Sequence, residues 1–169
     1  YHIEYEEIFA AKIFDDFEQK AFQRENENYQ NIQSIQMIPH FYCQAKMVKN
    51  SCLIIEYIMG KSLDKIKDIK RNESDKMSII LQLMLIVEFI QYRGYVHRDL
   101  RPNNIIINQN KKLILIDFDR MILHNEIIND DTSKNFYDLF ICPEIRYDTI
   151  RKYSFKEDVY SIGPLFYFI

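Results

Sequence analysis

The sequence predicts an α+β fold in which a small antiparallel sheet lobe with one helix precedes a mainly helical, C-terminally incomplete lobe. Short runs rich in β-branched and aromatic residues, which are typical of strands, fill much of residues 1–58. A continuous apolar segment at 77–90 indicates a buried helix. Two isoleucine-rich runs at 105–117 indicate a hairpin. We therefore assign residues 1–58 to the first lobe and residues 59–169 to the second.

The first lobe is predicted to contain strands on both sides of one helix. Residues 1–14 are typical of two strands or a strand pair. Acidic residues followed by apolar residues at helical spacing predict a helix over 15–33. Residues 39–47 and 51–58 are then expected to be strands joined by the short turn "VKN".

The segment 77–90, "MSIILQLMLIVEFI", could be mistaken for a membrane span. It is too short to cross a bilayer and it contains polar side chains. A helix that is buried on most sides is therefore the better interpretation. We expect Asn72 or Ser74 to cap the start of this helix and Gly94 to mark its end.

The remainder of the second lobe is predicted to contain further helices and one long connection. A short helix is expected over 60–70, after Gly60. Residues 117–142 are polar and irregular, and a connection of this length usually indicates function or mobility. Ser154 is expected to cap a last apolar helix, which continues over 157–169.

Composition excludes several classes of protein. The 169 residues carry a net charge of −3, and 47% of them are hydrophobic and 14% aromatic. Such a chain can bury a core, and without a basic stripe it is not expected to bind nucleic acid or a membrane surface. Its three cysteines lack CxxC spacing, which indicates buried thiols of a reducing compartment and no zinc site. We therefore expect a cytoplasmic protein.

The segment 97–104, "HRDLRPNN", places charged and amide side chains directly before a buried strand. Loops on rigid scaffolds are common places for catalytic residues. Together with five other short motifs, this segment resembles the eukaryotic protein kinases, in family order and spacing over nearly the whole chain. The six motifs are "AAK" (10–12), "EYIMG" (56–60), "HRDLRPNN" (97–104), "IDFD" (116–119), "CPE" (142–144) and "DVYSIG" (158–163). One such motif is a weak signal, whereas six in register are a strong one.

The resemblance implies transfer of the γ-phosphate of ATP to a hydroxyl of a protein substrate, with serine or threonine favoured, and with Mg²⁺ as the metal. Asp117 would give Mg²⁺ a carboxylate ligand, and Asn104 would give it an amide oxygen. Asp99 would orient and deprotonate the substrate hydroxyl. Arg101 would neutralise the transferring phosphate.

The resemblance also implies a nucleotide site between the lobes. Lys12 would bind the α- and β-phosphates and pair with a glutamate of the first helix, for which Glu25 is our choice and Glu27 the rival. Adenine would lie among apolar residues and against the backbone of a strand edge. Its expected neighbours are Ala10, Ile55, Glu56, Ile58, Ile106 and Ile116.

Other residues are expected to be structural within the same scheme. His97 and Phe118 would stack in a spine that joins the lobes, and Tyr29 would continue it. Asp158 would accept backbone hydrogen bonds from the loop 97–104 and hold it in shape.

The resemblance places the metal motif at 117–119 and the activation segment at 117–144. In this segment Thr132 and Ser133 are either regulatory phosphorylation sites or ordinary loop residues. Glu144 is expected to pair with an arginine beyond the sequence.

Two departures from the family pattern bear on activity. No glycine-rich phosphate loop precedes Lys12, and the sequence stops within its last helix. We therefore expect a kinase domain cut at both ends that is inactive and poorly soluble by itself. Asp119 stands where the metal motif of the family has glycine, and it would either weaken the metal site or face solvent. The alternative function is consequently a catalytically impaired, kinase-like nucleotide-binding or scaffold module.

Overall fold

The computed structural model describes residues 8–46, 50–66, 73–128, 139–143 and 151–169. Its helices are α1 (Gln19–Ile32), α2 (Glu73–Tyr92) and α3 (Phe155–Phe168). Its strands are β1 (Phe9–Asp15), β2 (Phe41–Lys46), β3 (Asn50–Glu56), β4 (Gly60–Ser62), β5 (Tyr95–Val96), β6 (Ile105–Asn108), β7 (Leu113–Leu115), β8 (Ile122–Leu123), β9 (Ile127–Ile128) and β10 (Arg151–Lys152). The predicted α+β class is confirmed.

The first lobe is a three-stranded antiparallel sheet in the order β1–β3–β2, with α1 packed against it. Tyr29 of α1 is buried and stacks on Phe41 of β2 at 5.7 Å between ring centroids. Burial of this helix face against the sheet removes apolar surface from water, which stabilises the lobe. The strands and the helix predicted here are confirmed from Phe9 onward, and residues 1–7 and 47–49 lie outside the described ranges.

The second sheet, in the order β4–β6–β7, confirms the predicted hairpin but shows that one predicted helix is wrong. The segment expected to begin a helix over 60–70 is the strand β4, followed by a 3-10 turn at Leu63–Lys65. The two strands approach so closely that a Cβ on Gly60 would lie 2.5 Å from the carbonyl oxygen of Ile107. The glycine therefore serves close strand packing, and residues 67–70 are outside the described part of the chain.

Helix α2 confirms the helix predicted around 77–90, but burial on most sides was wrong, because only one face is buried while Leu81, Leu85 and Phe89 are about half exposed. The predicted cap is not confirmed. The helix begins at Glu73, so Ser74 lies inside it, and Asn72 is outside the described residues. Gly94, just beyond the helix, has a φ of 83°, a left-handed conformation that glycine adopts without strain. The predicted end of the helix is therefore confirmed.

Helix α3 starts at the predicted cap and packs against α2. Ser154 Oγ accepts a hydrogen bond from the Lys156 N–H at 3.4 Å, and the Glu157 carboxylate accepts from the Ser154 N–H at 2.8 Å. These bonds satisfy backbone and side-chain groups at the start of the helix, as a capping box does.

Two short antiparallel pairs, β5–β8 and β9–β10, give order to part of the connection that was expected to be irregular over 117–142. The remaining residues singled out there, namely Thr132, Ser133 and Glu144, lie outside the described residues.

The described helices and the cysteines can be compared with the expectations from composition. None of the helices in the described ranges combines the length and the apolar character that crossing a bilayer requires. Cys52 and Cys142 are buried, as expected for structural thiols, whereas Cys43 is exposed.

Candidate active site

A lysine of the first sheet meets two acidic residues from other elements between the lobes. Lys12, on β1, has its Nζ atom 2.6 Å from Glu25 Oε2 and 2.6 Å from Asp117 Oδ1. Glu25 belongs to α1 and is completely buried, whereas Glu27 on the same helix is exposed. Of the two glutamates considered for this ion pair, the fold brings Glu25 to the lysine.

The pKa values in this cluster follow from burial and from mutual charge. Burial acts to lower the pKa of Lys12, but Glu25 and Asp117 outweigh it and the pKa lies above its ordinary value. Burial raises the pKa of Glu25 to about 7, although Lys12 opposes this shift. Burial also acts to raise the pKa of Asp117, but Lys12 brings that pKa below its ordinary value. At neutral pH the lysine is therefore a cation and Asp117 a carboxylate.

The loop after β5 brings three of the predicted residues into contact. The Asn104 amide nitrogen donates to the backbone oxygen of Asp99 at 2.9 Å and to Asp99 Oδ2 at 2.8 Å. The Arg101 guanidinium forms an ion pair with Asp99 Oδ1. Both amide hydrogens of Asn104 are thereby used, so its amide oxygen is the atom of that side chain left to act as an acceptor.

The same loop is held by the last helix. Asp158, in the first turn of α3, is completely buried and accepts hydrogen bonds from the backbone N–H groups of His97 at 2.7 Å and Arg98 at 2.9 Å. Burial raises the pKa of Asp158 to about 6, against the lowering effect of these two bonds. Arg98 has a φ of 69°, an uncommon conformation for a residue with a side chain. The predicted anchoring by Asp158 is confirmed, and it holds this conformation.

A row of three buried rings in contact connects α1 with the loop after β5. The ring centroid of Phe118 lies 5.2 Å from that of Tyr29 and 5.3 Å from that of His97. Burial lowers the pKa of His97 to about 4, so the imidazole is neutral at pH 7. The contacts expected among these residues are confirmed, but the rings meet edge to face, at interplanar angles of 79° and 70°, and are not stacked.

Asn28 is a residue of the site that sequence reasoning missed. It lies on the buried face of α1 and is 4% exposed. Its Nδ2 atom donates to the carbonyl oxygens of Phe118 at 2.7 Å and Met121 at 2.9 Å. The available signal was an amide side chain that follows Glu25 by about one turn on the apolar face of a predicted helix.

Asp119, where the metal motif departs from glycine, lies beside Asp117. Among the described non-glycine residues with positive φ are Asp117, at 70°, and Arg98, but not Asp119. Burial raises the pKa of Asp119, and the charge of Asp117 adds to the shift. A hydrogen bond from the Asp119 side chain helps to lower the pKa of Asp117. Asp119 therefore needs no glycine-like backbone, and its carboxyl group contacts a predicted metal ligand.

The residues expected around adenine are distributed over both lobes. They are Ala10 on β1, Ile55 and Glu56 on β3, Ile58 after β3, Ile106 on β6 and Ile116 just after β7. Ala10 lies directly opposite Ile55 in the first sheet. That these residues enclose adenine stays a prediction.

Two side chains of the site have the chemistry of magnesium ligands. Asp117 offers a carboxylate oxygen, and Asn104 offers its amide oxygen. Mg²⁺ in phosphotransfer sites is commonly bound by one or two protein carboxylates together with substrate phosphates. In the part of the chain that is described, no three His, Cys, Asp or Glu side chains are grouped so that they could bind a metal. The carboxylate of Asp117 and the amide oxygen of Asn104 are donors of the kind that binds Mg²⁺ together with nucleotide phosphates.

Comparison with known proteins identifies the family of this chain. A family model described as the protein kinase domain matches residues 1–169. The chain belongs to the protein kinase family. Its sheet lobe and its partial helical lobe are therefore those of a protein kinase domain, as the motifs predicted.

Individual protein kinases are similar to most of this kinase domain. CDPK-related kinase 5 of Arabidopsis thaliana is 29% identical over 140 residues, which are 78% of this chain and 22% of that protein. Dual specificity protein kinase zak2 of Dictyostelium discoideum is 28% identical over 166 residues, which are 93% and 24% of the two chains. Serine/threonine-protein kinase RUNKEL of Arabidopsis thaliana is 24% identical over 169 residues, which are 95% of this chain and 12% of that protein. In each case this chain spans less than a quarter of the length of the relative.

Proposed function

We propose that the protein containing this kinase domain transfers the γ-phosphate of Mg-ATP to a serine or threonine hydroxyl of a protein substrate. The observation that carries the proposal is the contact of Lys12 Nζ with Glu25 and Asp117, at 2.6 Å each. Phosphoryl transfer depends mainly on positioning and on neutralising charge. A fixed cation beside a carboxylate that suits Mg²⁺ meets both needs. Two relatives of this chain, a serine/threonine-protein kinase and a dual specificity protein kinase, agree with a hydroxyl acceptor.

The residues that handle the nucleotide follow from this arrangement. Mg-ATP, when bound, supplies the phosphoryl group and the divalent charge that its transfer requires. Lys12, held in place by Glu25, binds the phosphate oxygens. Asp117 and Asn104 bind the metal through a carboxylate and an amide oxygen. The adenine lies against Ala10, Ile55, Glu56, Ile58, Ile106 and Ile116.

The residues that handle the acceptor lie on the loop after β5. Asp99 orients the incoming hydroxyl and accepts its proton, because its carboxylate is fixed by the Asn104 amide at 2.8 Å. Arg101 lies on the same loop and pairs with Asp99. From there its guanidinium neutralises the phosphate as it transfers. We also propose that the protein is cytoplasmic, which its reduced cysteine thiols support.

Phosphotransfer by the full-length protein tests the proposal directly. The protein is incubated with Mg²⁺, γ-labelled ATP and a peptide library that contains serine, threonine and tyrosine acceptors. We expect label on serine or threonine peptides, and we expect Asp99→Asn to abolish it. Label on none of the peptides, or equal labelling by the Asp99→Asn variant, contradicts the proposal.

Asp119 is the observation that favours a second function, a catalytically impaired binding module. The charge of Asp117 helps to raise the pKa of Asp119, which indicates a second carboxyl group beside the proposed metal ligand. If the proposed activity holds, Asp119→Gly in the full-length protein changes turnover by less than about tenfold, because Asp119 does not need a glycine backbone. A rise of about a hundredfold, roughly 2.7 kcal/mol in the barrier, assigns the natural protein to the binding modules.

A further inference from the structure

Asn28 contacts the segment that carries Asp117, although no step of the proposed reaction uses it. We infer that Asn28 is a positioning residue that holds Asp117 in the orientation in which its carboxylate faces Lys12 and Mg²⁺. The inference rests on the proposed function, because it takes Asp117 to be the metal ligand.

The first step is the backbone conformation of Asp117. Its φ is 70°, in the left-handed region that residues with a side chain seldom occupy. Such a conformation is unfavourable by itself and persists only where the surrounding contacts enforce it. The contacts that enforce it here must act on the peptide groups next to Asp117.

The second step is that α1 contacts both peptide groups of the next residue. The Phe118 N–H donates to Glu25 Oε1 at 3.3 Å. The Phe118 carbonyl accepts from Asn28 Nδ2 at 2.7 Å, which also bonds the Met121 carbonyl at 2.9 Å. Two side chains from one face of α1 therefore fix the backbone on both sides of Phe118, directly after the strained residue.

The third step is burial, which makes these bonds costly to lose. Asn28 is 4% exposed and Phe118 is completely buried. The Phe118 carbonyl has one other partner, the Met121 N–H at 3.2 Å in the same turn. Without the amide, the buried Met121 carbonyl loses the bond from α1 that satisfies it. The loss of this bond then favours a rearrangement of the turn. The strained backbone of Asp117 favours the same rearrangement, because it would be relieved.

The consequence is a coupling between α1 and the metal site. As long as Asn28 holds the turn, Asp117 Oδ1 stays 2.6 Å from Lys12 Nζ. When the turn relaxes, the Asp117 carboxylate leaves this position, and the site loses a metal ligand. The loss is greatest when Mg²⁺ is present, because the metal needs the Asp117 carboxylate as a ligand, whereas nucleotide without metal binds Lys12 and only displaces Asp117 from it.

The experiment measures ADP affinity of the full-length protein with and without Mg²⁺, and takes the ratio as the gain due to metal. For Asn28→Ala we expect the gain to fall at least about tenfold, since the variant loses two buried hydrogen bonds. Affinity for ADP without metal should change by less than about twofold. Amide hydrogen exchange at 118–121 should become faster in the same variant. Asn31→Ala, an exposed position on the same helix, is the matched control and should leave every value unchanged.

A second variant separates a loss of donors from a loss of volume. Asn28→Leu removes the donors but keeps a side chain of similar size, so we expect its metal-dependent gain to fall as in Asn28→Ala. A gain close to the wild-type value in either variant overturns the inference, as does an equal fall in affinity with and without Mg²⁺. If wild-type protein itself shows no gain from Mg²⁺, the proposed function fails, and this outcome is distinct from failure of the inference alone.

Discussion

At the scale of single residues, Lys12 connects the two lobes by charge. The lysine side chain is 32% exposed and that of Asp117 is 33% exposed, whereas that of Glu25 is 1% exposed. The Glu25 contact is therefore shielded from water, and water and salt weaken it less than they weaken an exposed pair. The contact with Asp117 is open to water and can be exchanged for a phosphate or a metal. One lysine can thus keep its position while its outer partner changes.

The roles of Asp117 and Asp99 can be separated by nucleotide affinity. Asp117→Asn should weaken Mg-ATP binding by about tenfold or more, because a neutral amide would replace the proposed carboxylate ligand of the metal. Asp99→Asn should weaken it by less than about threefold, because the role proposed for Asp99 concerns the acceptor hydroxyl and not the nucleotide. Calorimetric titration in the presence of Mg²⁺ measures both values. Equal losses in the two variants would show that these roles are wrong.

At the scale of elements, the first turn of α3 fixes the loop that carries Asp99. The helix begins at a capping box formed by Ser154 and Glu157, and this places Asp158 below the loop. The N-terminal end of a helix also favours negative charge, which partly offsets the cost of burying Asp158. A local sequence signal, the cap, therefore determines where a distant loop is anchored.

The pH dependence of stability should reveal this anchor. The pKa of Asp158 is about 6 in the folded protein against an ordinary value of 3.8, so the folded state retains a proton that the unfolded chain releases between these values. The resulting stabilisation is complete below pH 3.8 and is lost as the pH rises through about 6. Compared with Asp158→Asn, which does not titrate, wild type should lose up to roughly 3 kcal/mol over this range. Urea unfolding at a series of pH values measures it.

The control for this measurement is Asn31→Ala, at an exposed position, because this substitution removes no titratable group. The difference between this control and wild type should stay constant with pH. His97 has the opposite effect: its pKa is lowered to about 4, so the folded state loses stability as the pH falls. Because His97 is present in all three proteins, its contribution cancels in the comparison. Parallel curves for wild type and Asp158→Asn would show that the buried carboxylate does not control stability in this range.

The elements differ in how far the sequence predicts them. The hairpin β6–β7 was predictable because its strands are close in sequence and rich in β-branched residues. Strand β4 was not, because its pairing with β6 depends on a contact between Gly60 and residues that follow far along the chain. In the site, motif residues such as Lys12 could be predicted. Helical spacing could place Asn28 on the same face as Glu25, but it could not show that the amide contacts the Phe118 carbonyl, because that contact is tertiary.

The strand pairing at Gly60 can be tested by adding one methyl group. Gly60→Ala places a Cβ 2.5 Å from the Ile107 carbonyl oxygen, and we expect it to lower the free energy of unfolding by about 1–3 kcal/mol. Gly163→Ala in α3 is the matched control, because a Cβ there meets nothing within 4 Å. It should leave stability unchanged or raise it by up to about 1 kcal/mol. Chemical denaturation gives both values, and a loss of equal size in the control would contradict the steric argument.

At the scale of the whole molecule, the described part of the helical lobe exposes large apolar side chains on two helices. On α2, Leu81, Leu85 and Phe89 are about half exposed and follow one another at helical spacing. On α3, Tyr167 is 91% exposed. It belongs to an apolar cavity of about 580 Å³ that also involves Leu139, Phe140, Tyr160, Gly163, Pro164 and Phe168. Contiguous apolar surface of this kind is commonly a contact surface.

We therefore expect the polypeptide of residues 1–169, prepared alone, to self-associate. Covering a half-exposed leucine or phenylalanine in such a contact would contribute roughly 1 kcal/mol, so several of them together are enough to drive association. Sedimentation velocity should show species heavier than the 20.6 kDa monomer. The double substitution Leu81→Lys and Phe89→Lys should shift the distribution toward the monomer, while Glu88→Lys, at an exposed polar position on the same helix, should not. A monodisperse wild-type monomer with a sharp cooperative melt would contradict this prediction, because it would show that the exposed stripe is tolerated in water.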